Sequence, residues 1–190
     1  MKIPIEISAR HMHLSKEDFE KLFGKNQTLN SIKNLSQPGE FASDKVVEII
    51  NKSKKIEDVR ILGPFRKNSQ VEISMTDAYN LKLSPFPQIK VSGDVANTAN
   101  ILVRNKNNSI KAPCIIARRH LHASAKEAKK LKLKNNQNIS IKIGGIREVT
   151  FHNIIVRVSE DFKLALHLDT DEGNAAGIAG KTFGELARKG

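Results

Sequence analysis

Residues 8–15 read Ser-Ala-Arg-His-Met-His-Leu-Ser, and residues 117–124 read Ala-Arg-Arg-His-Leu-His-Ala-Ser. Each stretch holds a His-x-His pair, an arginine just before it and a serine two residues after it. The chain has six histidines, and four of them stand in these two stretches. Histidines at i and i+2 project to the same side of an extended segment. On a helix they would stand about 200° apart and could not chelate together. The residues before both pairs read as extended. Ile3, Ile5 and Ile7 alternate with Pro4, Glu6 and Ser8, and Ile115-Ile116 lead into the second pair. The duplication therefore predicts two related halves, each bringing a metal-ligand pair to a site.

Working outward, each pair is followed by a helix signal. Ser15 precedes Glu17 and Asp18, then Phe19, Leu22 and Phe23, with a stop at Gly24. Ser124 and Glu127 make a capping box ahead of the stripe Ala125, Ala128 and Leu131. The repeat unit is strand, His-x-His, capped helix. Strand patterns follow at Val46–Ile50, Val59–Leu62 and Gln70–Met75 in the first half. In the second they fall at Ile139–Ile143, Glu148–Phe151, Ile154–Val158 and Leu164–Leu168. Short strands at close spacing, with turns such as Gln37-Pro38-Gly39 and Gly144-Gly145, predict small barrels. The expected fold class is mainly β (α+β): two small β-barrel subdomains related by an internal repeat, with short capped helices. The Asn-rich stretch 97–112 interrupts the apolar pattern and reads as a linker between halves 1–96 and 113–190.

Composition narrows the function classes. The chain of 190 residues is long enough for one domain or two of about 90 residues each. No apolar run approaches the ~18–20 residues that span a bilayer, so no membrane role is expected. Met1–Ile7 lacks an apolar signal region, and the lone Cys114 cannot form an internal disulfide. Both point to a cytoplasmic protein. A net charge of +12 attracts polyanions: nucleic acid, anionic lipid or a phosphorylated small molecule. With one Tyr and no Trp, stacking platforms for bases are scarce, so the lysines read as solvated faces and nucleic acid is not the expected partner.

Catalytic zinc usually takes three protein ligands, so each half needs one more. In Gln70-Val71-Glu72-Ile73-Ser74-Met75 the apolar residues share one face and Glu72 lies on the other. In Leu164-Ala165-Leu166-His167-Leu168-Asp169 the leucines face one way and His167 the other. Glu72 also reads as an ordinary solvent-facing carboxylate on periodicity alone. The acids Asp169, Asp171 and Glu172 are expected near His167, as partners fixing imidazole tautomers. Arg66, in the turn Gly63-Pro64-Phe65-Arg66 at a strand end, is placed to clamp a phosphate. His152 receives no role, and Cys114 reads as a small buried residue.

At this point the motifs resemble a known family, the PduL-type phosphate propanoyltransferases, or phosphotransacylases. The matching pieces are SARHMHLS (8–15), LSQPG (35–39), VRILGPFR (59–66), QVEISMTDA (70–78), SGD (92–94), IARRHLH (116–122) and HLDTDEGNAAG (167–177). They run in order through nearly the whole chain. The segment departs from the family pattern at Lys90, where Arg is expected, and at Gly173, where Ala is expected. The resemblance implies two β-barrel subdomains and two zinc ions, one on His11, His13 and Glu72, the other on His120, His122 and His167. It implies Arg66 as the phosphate-holding catalytic residue and coenzyme A as a substrate. The reaction would interconvert acyl-CoA plus phosphate with acyl phosphate plus CoA, the acyl group being propanoyl or acetyl, by direct transfer in a ternary complex. The core motif begins almost at Met1, so no peptide directing the chain to a microcompartment is expected, and a homo-oligomer is allowed. Three rivals stay open on the residues alone. One is a zinc hydrolase of a phosphoester or thioester. Another is a basic nucleic-acid-binding barrel. The third is a structural double-zinc protein with Asp169 or Asp171 as closing ligands.

Overall fold

A computed structural model describes residues 1–187. In chain order the elements are β1 (Ile3–Ser8), β2 (His11–His13), α1 (Lys16–Phe23), β3 (Ser31–Asn34), β4 (Phe41–Asn51), β5 (Lys54–Gly63) and β6 (Gln70–Ile73). Then come α2 (Met75–Asn80), β7 (Ile89–Lys90), β8 (Asn100–Asn105), β9 (Asn108–Ala117), β10 (His120–Ala123) and α3 (Ala125–Leu131). The chain ends through β11 (Asn138–Ile143), β12 (Val149–Val158), β13 (Ala165–Asp169), α4 (Thr170–Ala175) and β14 (Thr182–Leu186). Strands dominate and the helices are short, as the sequence predicts.

The chain divides into two compact units. One comprises residues 9–117, the other residues 1–8 with the described residues from 118 onward. In the second unit the strands close in the order β1-β13-β10-β12-β11-β14. In the first, β8 pairs with both β4 and β9, so β4-β5-β2-β6-β9-β8 also closes on itself, with β3 and β7 outside the ring. The two rings have the same plan. The His-x-His strand lies between a parallel neighbour (β5 or β12) and an antiparallel one (β6 or β13). The antiparallel neighbour runs parallel to a further strand (β9 or β1). That strand pairs antiparallel with β8 or β14, which closes onto β4 or β11.

This plan corrects the expected organisation. The strand preceding each His-x-His pair does not share its barrel. β1 leads into β2 but pairs with β13 and β14; β9 leads into β10 but pairs with β6 and β8. The stretch 97–112 is no linker, because it carries β8 and the first half of β9. The chain instead passes between units at 8–9 and 117–118. The hydrophobic cores follow the same division. Met12, Leu14, Phe19, Val47, Ile49, Val59, Ile61 and Val71 belong to one. Ile3 and Ile5 join Leu121, Ile141, Ile154, Val156 and Leu166 in the other. Each fully buried aliphatic side chain contributes about 1.5–3 kcal/mol, so swapping β1 removes Ile3 and Ile5 from one core and supplies them to the other.

Local chemistry sets the element ends. Ser15 Oγ accepts from Asp18 N–H at 3.2 Å to start α1, and Gly24 ends it at φ +96°, a left-handed position where glycine is favoured. Glu148–Phe151 and Ile154–Val158, read as two strands, are the single β12. Its register against β11 shifts where Asn153 adopts φ +57°, a bulge that polar Asn tolerates. The strand read as Gln70–Met75 stops at Ile73, because Ser74 caps α2.

Candidate metal centres

Register brings the predicted ligands together. In the 9–117 barrel His11 stands opposite Glu72 across β2 and β6. In the other barrel His120 stands opposite His167 across β10 and β13. Period-two alternation then returns His13 and His122 to the same sides as their partners. The ligand atoms of His11, His13 and Glu72 lie within 4.8 Å of one another, and so do those of His120, His122 and His167.

The strand–helix junctions explain this placement. The N-caps of α1, α2, α3 and α4 are Ser15, Ser74, Ser124 and Asp169. Each stands two residues after a cluster member: His13, Glu72, His122 and His167. A ligand and a cap at i and i+2 share a strand face, so the turn into the helix fixes the strand end that carries the ligand. The arginine before each histidine pair has a matching use. Arg10 donates from Nε to Asp77 at 3.0 Å and pairs through Nη2 at 2.8 Å. Arg119 Nε lies 3.2 Å from Glu172. Asp77 and Glu172 are the capping-box acids of α2 and α4. Each arginine therefore ties the His-x-His strand to the helix that follows the third cluster member.

Tautomers are set alike in both clusters. His11 Nδ1–H donates to the Ala9 carbonyl at 2.8 Å, and His120 Nδ1–H donates to the Arg118 carbonyl at 2.9 Å. A carbonyl only accepts, so each Nε2 carries its lone pair toward the cluster. Around Glu72 the bonding is denser. Ser92 Oγ donates to Glu72 Oε1 at 2.6 Å and accepts from Gln70 Nε2 and Arg66 Nη1, both at 2.9 Å. Gln70 Nε2 also donates to Glu72 Oε1, and Gln70 Oε1 accepts from Gly93 N–H at 2.9 Å. Arg66 Nη2 reaches Glu40 at 3.1 Å, and the Arg66 N–H donates to the Leu14 carbonyl at 2.9 Å. Burial pushes the Glu72 carboxyl up. The imidazoles of His11 and His13 and the Ser92 hydroxyl pull it further down, to well below the usual carboxylate range. Burial opposes a charge on His11, but the Glu72 carboxylate and the Ala9 carbonyl outweigh it and raise His11. His13 is lowered, first by burial and then by His11 and Arg66.

These donors fit a metal ion. His11 Nε2 and His13 Nε2 lie 3.7 and 3.8 Å from Glu72 oxygens, beyond hydrogen-bond range. Ligand atoms about 2.1 Å from a shared ion at tetrahedral angles stand roughly 3.4 Å apart. The second cluster is all imidazole. His120 and His167 stack at 5.0 Å and 13°, and His122 lies edge-on to His167 at 4.8 Å. Phe162 stacks on His122 at 4.0 Å, and the Arg157 guanidinium lies over the Phe162 ring, 5.6 Å from its centroid.

Several expectations change. Glu72 is no solvent-facing carboxylate; it is 5% exposed. Asp169 and Glu172 do not serve the imidazoles, since they form the capping box of α4. Neither Asp169 nor Asp171 belongs to the cluster, so the closed-site rival loses its fourth ligand. The carboxylate beside His167 Nδ1 is Glu6 of β1, at 4.0 Å. Glu40, Gln70, Ser92 and Phe162 escaped the sequence reading, although Ser92 and Gln70 sat inside quoted motifs. Their partners lie far along the chain, and periodicity carries no signal of that. His152 contacts Ser140 at 2.7 Å, outside both clusters.

Comparison with known proteins places the chain among the transferases. A sequence profile of the phosphate propanoyltransferase family matches residues 4–179. Proteins named phosphate propanoyltransferase share this sequence closely. That of Alkaliphilus metalliredigens is 40% identical over 190 residues, covering 99% of this chain and 89% of the relative. That of Thermotoga maritima is 41% identical over 177 residues (92% and 83%), and that of Lachnoclostridium phytofermentans 43% over 179 residues (93% and 83%). The chain belongs to the phosphate propanoyltransferase family.

Proposed function

We propose that this enzyme interconverts acyl-CoA plus phosphate with acyl phosphate plus CoA, for a short acyl group such as propanoyl or acetyl, with zinc in both clusters. The observation that carries the reading is the pairing of family membership with two three-donor clusters, one of which has Arg66 bonded into its ligand network through Ser92. His11, His13 and Glu72 would hold one ion, and His120, His122 and His167 the other. Zinc supplies Lewis-acid polarisation of a carbonyl or phosphoryl oxygen when bound.

The remaining roles fall to the chain's own groups. Arg66 offers N–H donors beyond those given to Ser92 and Glu40, and they match phosphate oxygens in bidentate fashion. Holding the dianion in one orientation converts its approach to the thioester into an intramolecular event. The departing CoA thiolate needs little acid assistance, because thiols ionise near pH 8.5. An acyl-enzyme on Cys114 is disfavoured. That thiol is 1% exposed in the hydrophobic core, and burial pushes its pKa up to about 12. Direct transfer in a ternary complex follows. Cytoplasmic residence agrees with the single reduced thiol, and no helix is long and apolar enough to cross a membrane among the described residues.

The test is acyl transfer from acetyl or propanoyl phosphate to CoA by the purified protein. It is run as isolated, after chelation, and after zinc is restored. Loss on chelation and return with zinc supports the reaction and the metal together. Release of acid and free phosphate without thioester would replace transfer with hydrolysis. Arg66→Ala should raise the apparent KM for phosphate on the order of tenfold or more, the scale of one charge-assisted contact. An unchanged phosphate KM would remove Arg66 from phosphate binding.

A further inference from the structure

The Ser92 hydroxyl has one proton to donate and two lone pairs to accept with, and all three are in use. Its proton goes to Glu72 Oε1 at 2.6 Å, and its lone pairs receive Arg66 Nη1 and Gln70 Nε2 at 2.9 Å each. The Gln70 amide, 1% exposed, also bonds Glu72 Oε1 and holds the turn that carries Ser92 through the Gly93 N–H. Both donors converge on Oε1. The other oxygen, Oε2, is left facing His11 Nε2. His13 Nε2 lies 3.8 Å from Oε1, so both oxygens face the cluster, but only Oε1 is also anchored to the protein, and Oε2 is the oxygen left free of Ser92 and Gln70. The atom that holds the first oxygen is also the atom that holds the Arg66 fork.

We propose that Ser92 is a positioning residue that couples the Arg66 anion site to the Glu72 metal ligand, so that phosphate and metal each bind more tightly when the other is present. This rests on the metal and phosphate roles proposed above. The physical basis is geometric. An anion drawn onto Arg66 fixes the guanidinium. The fixed guanidinium holds the Ser92 hydroxyl in the one rotamer that donates to Oε1, and that bond holds the carboxylate. Reciprocity is thermodynamic: whatever factor phosphate adds to metal affinity, metal adds to phosphate affinity.

The experiment uses the full chain without turnover. Zinc retention is measured by chelator competition, with and without inorganic phosphate, in the wild type, Ser92→Ala and Ser92→Thr. Thermal unfolding of each variant checks that it is folded. In the wild type, phosphate should raise zinc retention at one of two sites by about fivefold or more, the low end of ordinary coupling. Ser92→Ala should weaken zinc at that site by about 10–100-fold, the usual cost of losing a partner that orients a ligand, and should abolish the phosphate effect. Ser92→Thr keeps the hydroxyl and should restore both. In acyl transfer, Ser92→Ala should raise the phosphate KM more than it changes the KM for CoA. A folded Ser92→Ala protein with unaltered zinc retention and an intact phosphate effect overturns the role of Ser92 and leaves the acyltransferase reading standing. A wild type that binds zinc and couples it to phosphate but transfers no acyl group overturns the reaction and leaves the coupling. A wild type that takes no zinc overturns both.

Discussion

At the scale of single residues, the two clusters differ in one donor, Glu72 against His167, in otherwise matching positions. Removing that donor should empty one site and spare the other. Glu72→Ala is expected to lower bound zinc by about one ion per chain, read by elemental analysis of purified protein. His167→Ala should do the same for the other site. Loss of both ions from either variant would mean that the clusters do not bind independently. The raised His11 sets a pH dependence. A ligand imidazole must be neutral, and a raised pKa keeps His11 partly protonated closer to neutral pH. Zinc uptake at that site should therefore release protons, and retention should fall as pH drops through the imidazole range. Calorimetry in buffers of different ionisation enthalpy measures the proton count. No proton release would contradict the assigned shift.

At the scale of elements, four helices have their N-caps two residues after four cluster members, so capping and ligand placement are one device. The serine after each His-x-His pair was legible in the sequence because capping is local chemistry, written within four residues. Ser124→Ala removes the N-cap of α3, whose hydroxyl accepts from Glu127 N–H at 3.3 Å. It should cost about 1 kcal/mol, seen as a lower denaturant midpoint at unchanged slope. A shift below about 0.3 kcal/mol would show that strand pairing alone holds β10. The loops diverge where the strands agree. His13 stands opposite Leu62 and His122 opposite Arg157, and segments 62–72 and 157–167 are equal in length. Asp161 therefore occupies the place of Arg66, so a guanidinium serves this loop position in the 9–117 unit alone. This divergence could be read only after register aligned the two segments, because their sequences share no motif.

For the whole molecule, the barrels exchange their leading strands, and this decides which fragments fold. Residues 9–117 contain a complete ring and its core, including β8 and β9. Residues 1–96 lack both of those strands and carry β1, whose partners lie at 165–186. The fragment 9–117 should unfold cooperatively and bind about one zinc ion. The fragment 1–96 should show no cooperative transition. Circular dichroism through a thermal ramp distinguishes them, and cooperative folding of 1–96 would argue against the strand exchange.

The sequence by itself determined the duplicated His-x-His pairs, the capped helices after them and the β-rich class, and it offered Glu72 and His167 as candidates for the third member of each cluster. Each is a local signal of spacing or alternation, because strand faces repeat every two residues and caps act within a turn. Alternation separated apolar from polar faces in β6, but not site from solvent, since both faces of that strand are buried. Tertiary structure alone decided which strands share a barrel, which acids cap helices instead of serving imidazoles, and that Ser92, Gln70, Glu40 and Phe162 stand at the clusters. Those outcomes depend on pairings between residues tens of positions apart, and a linear pattern holds no record of which strand edge finds which.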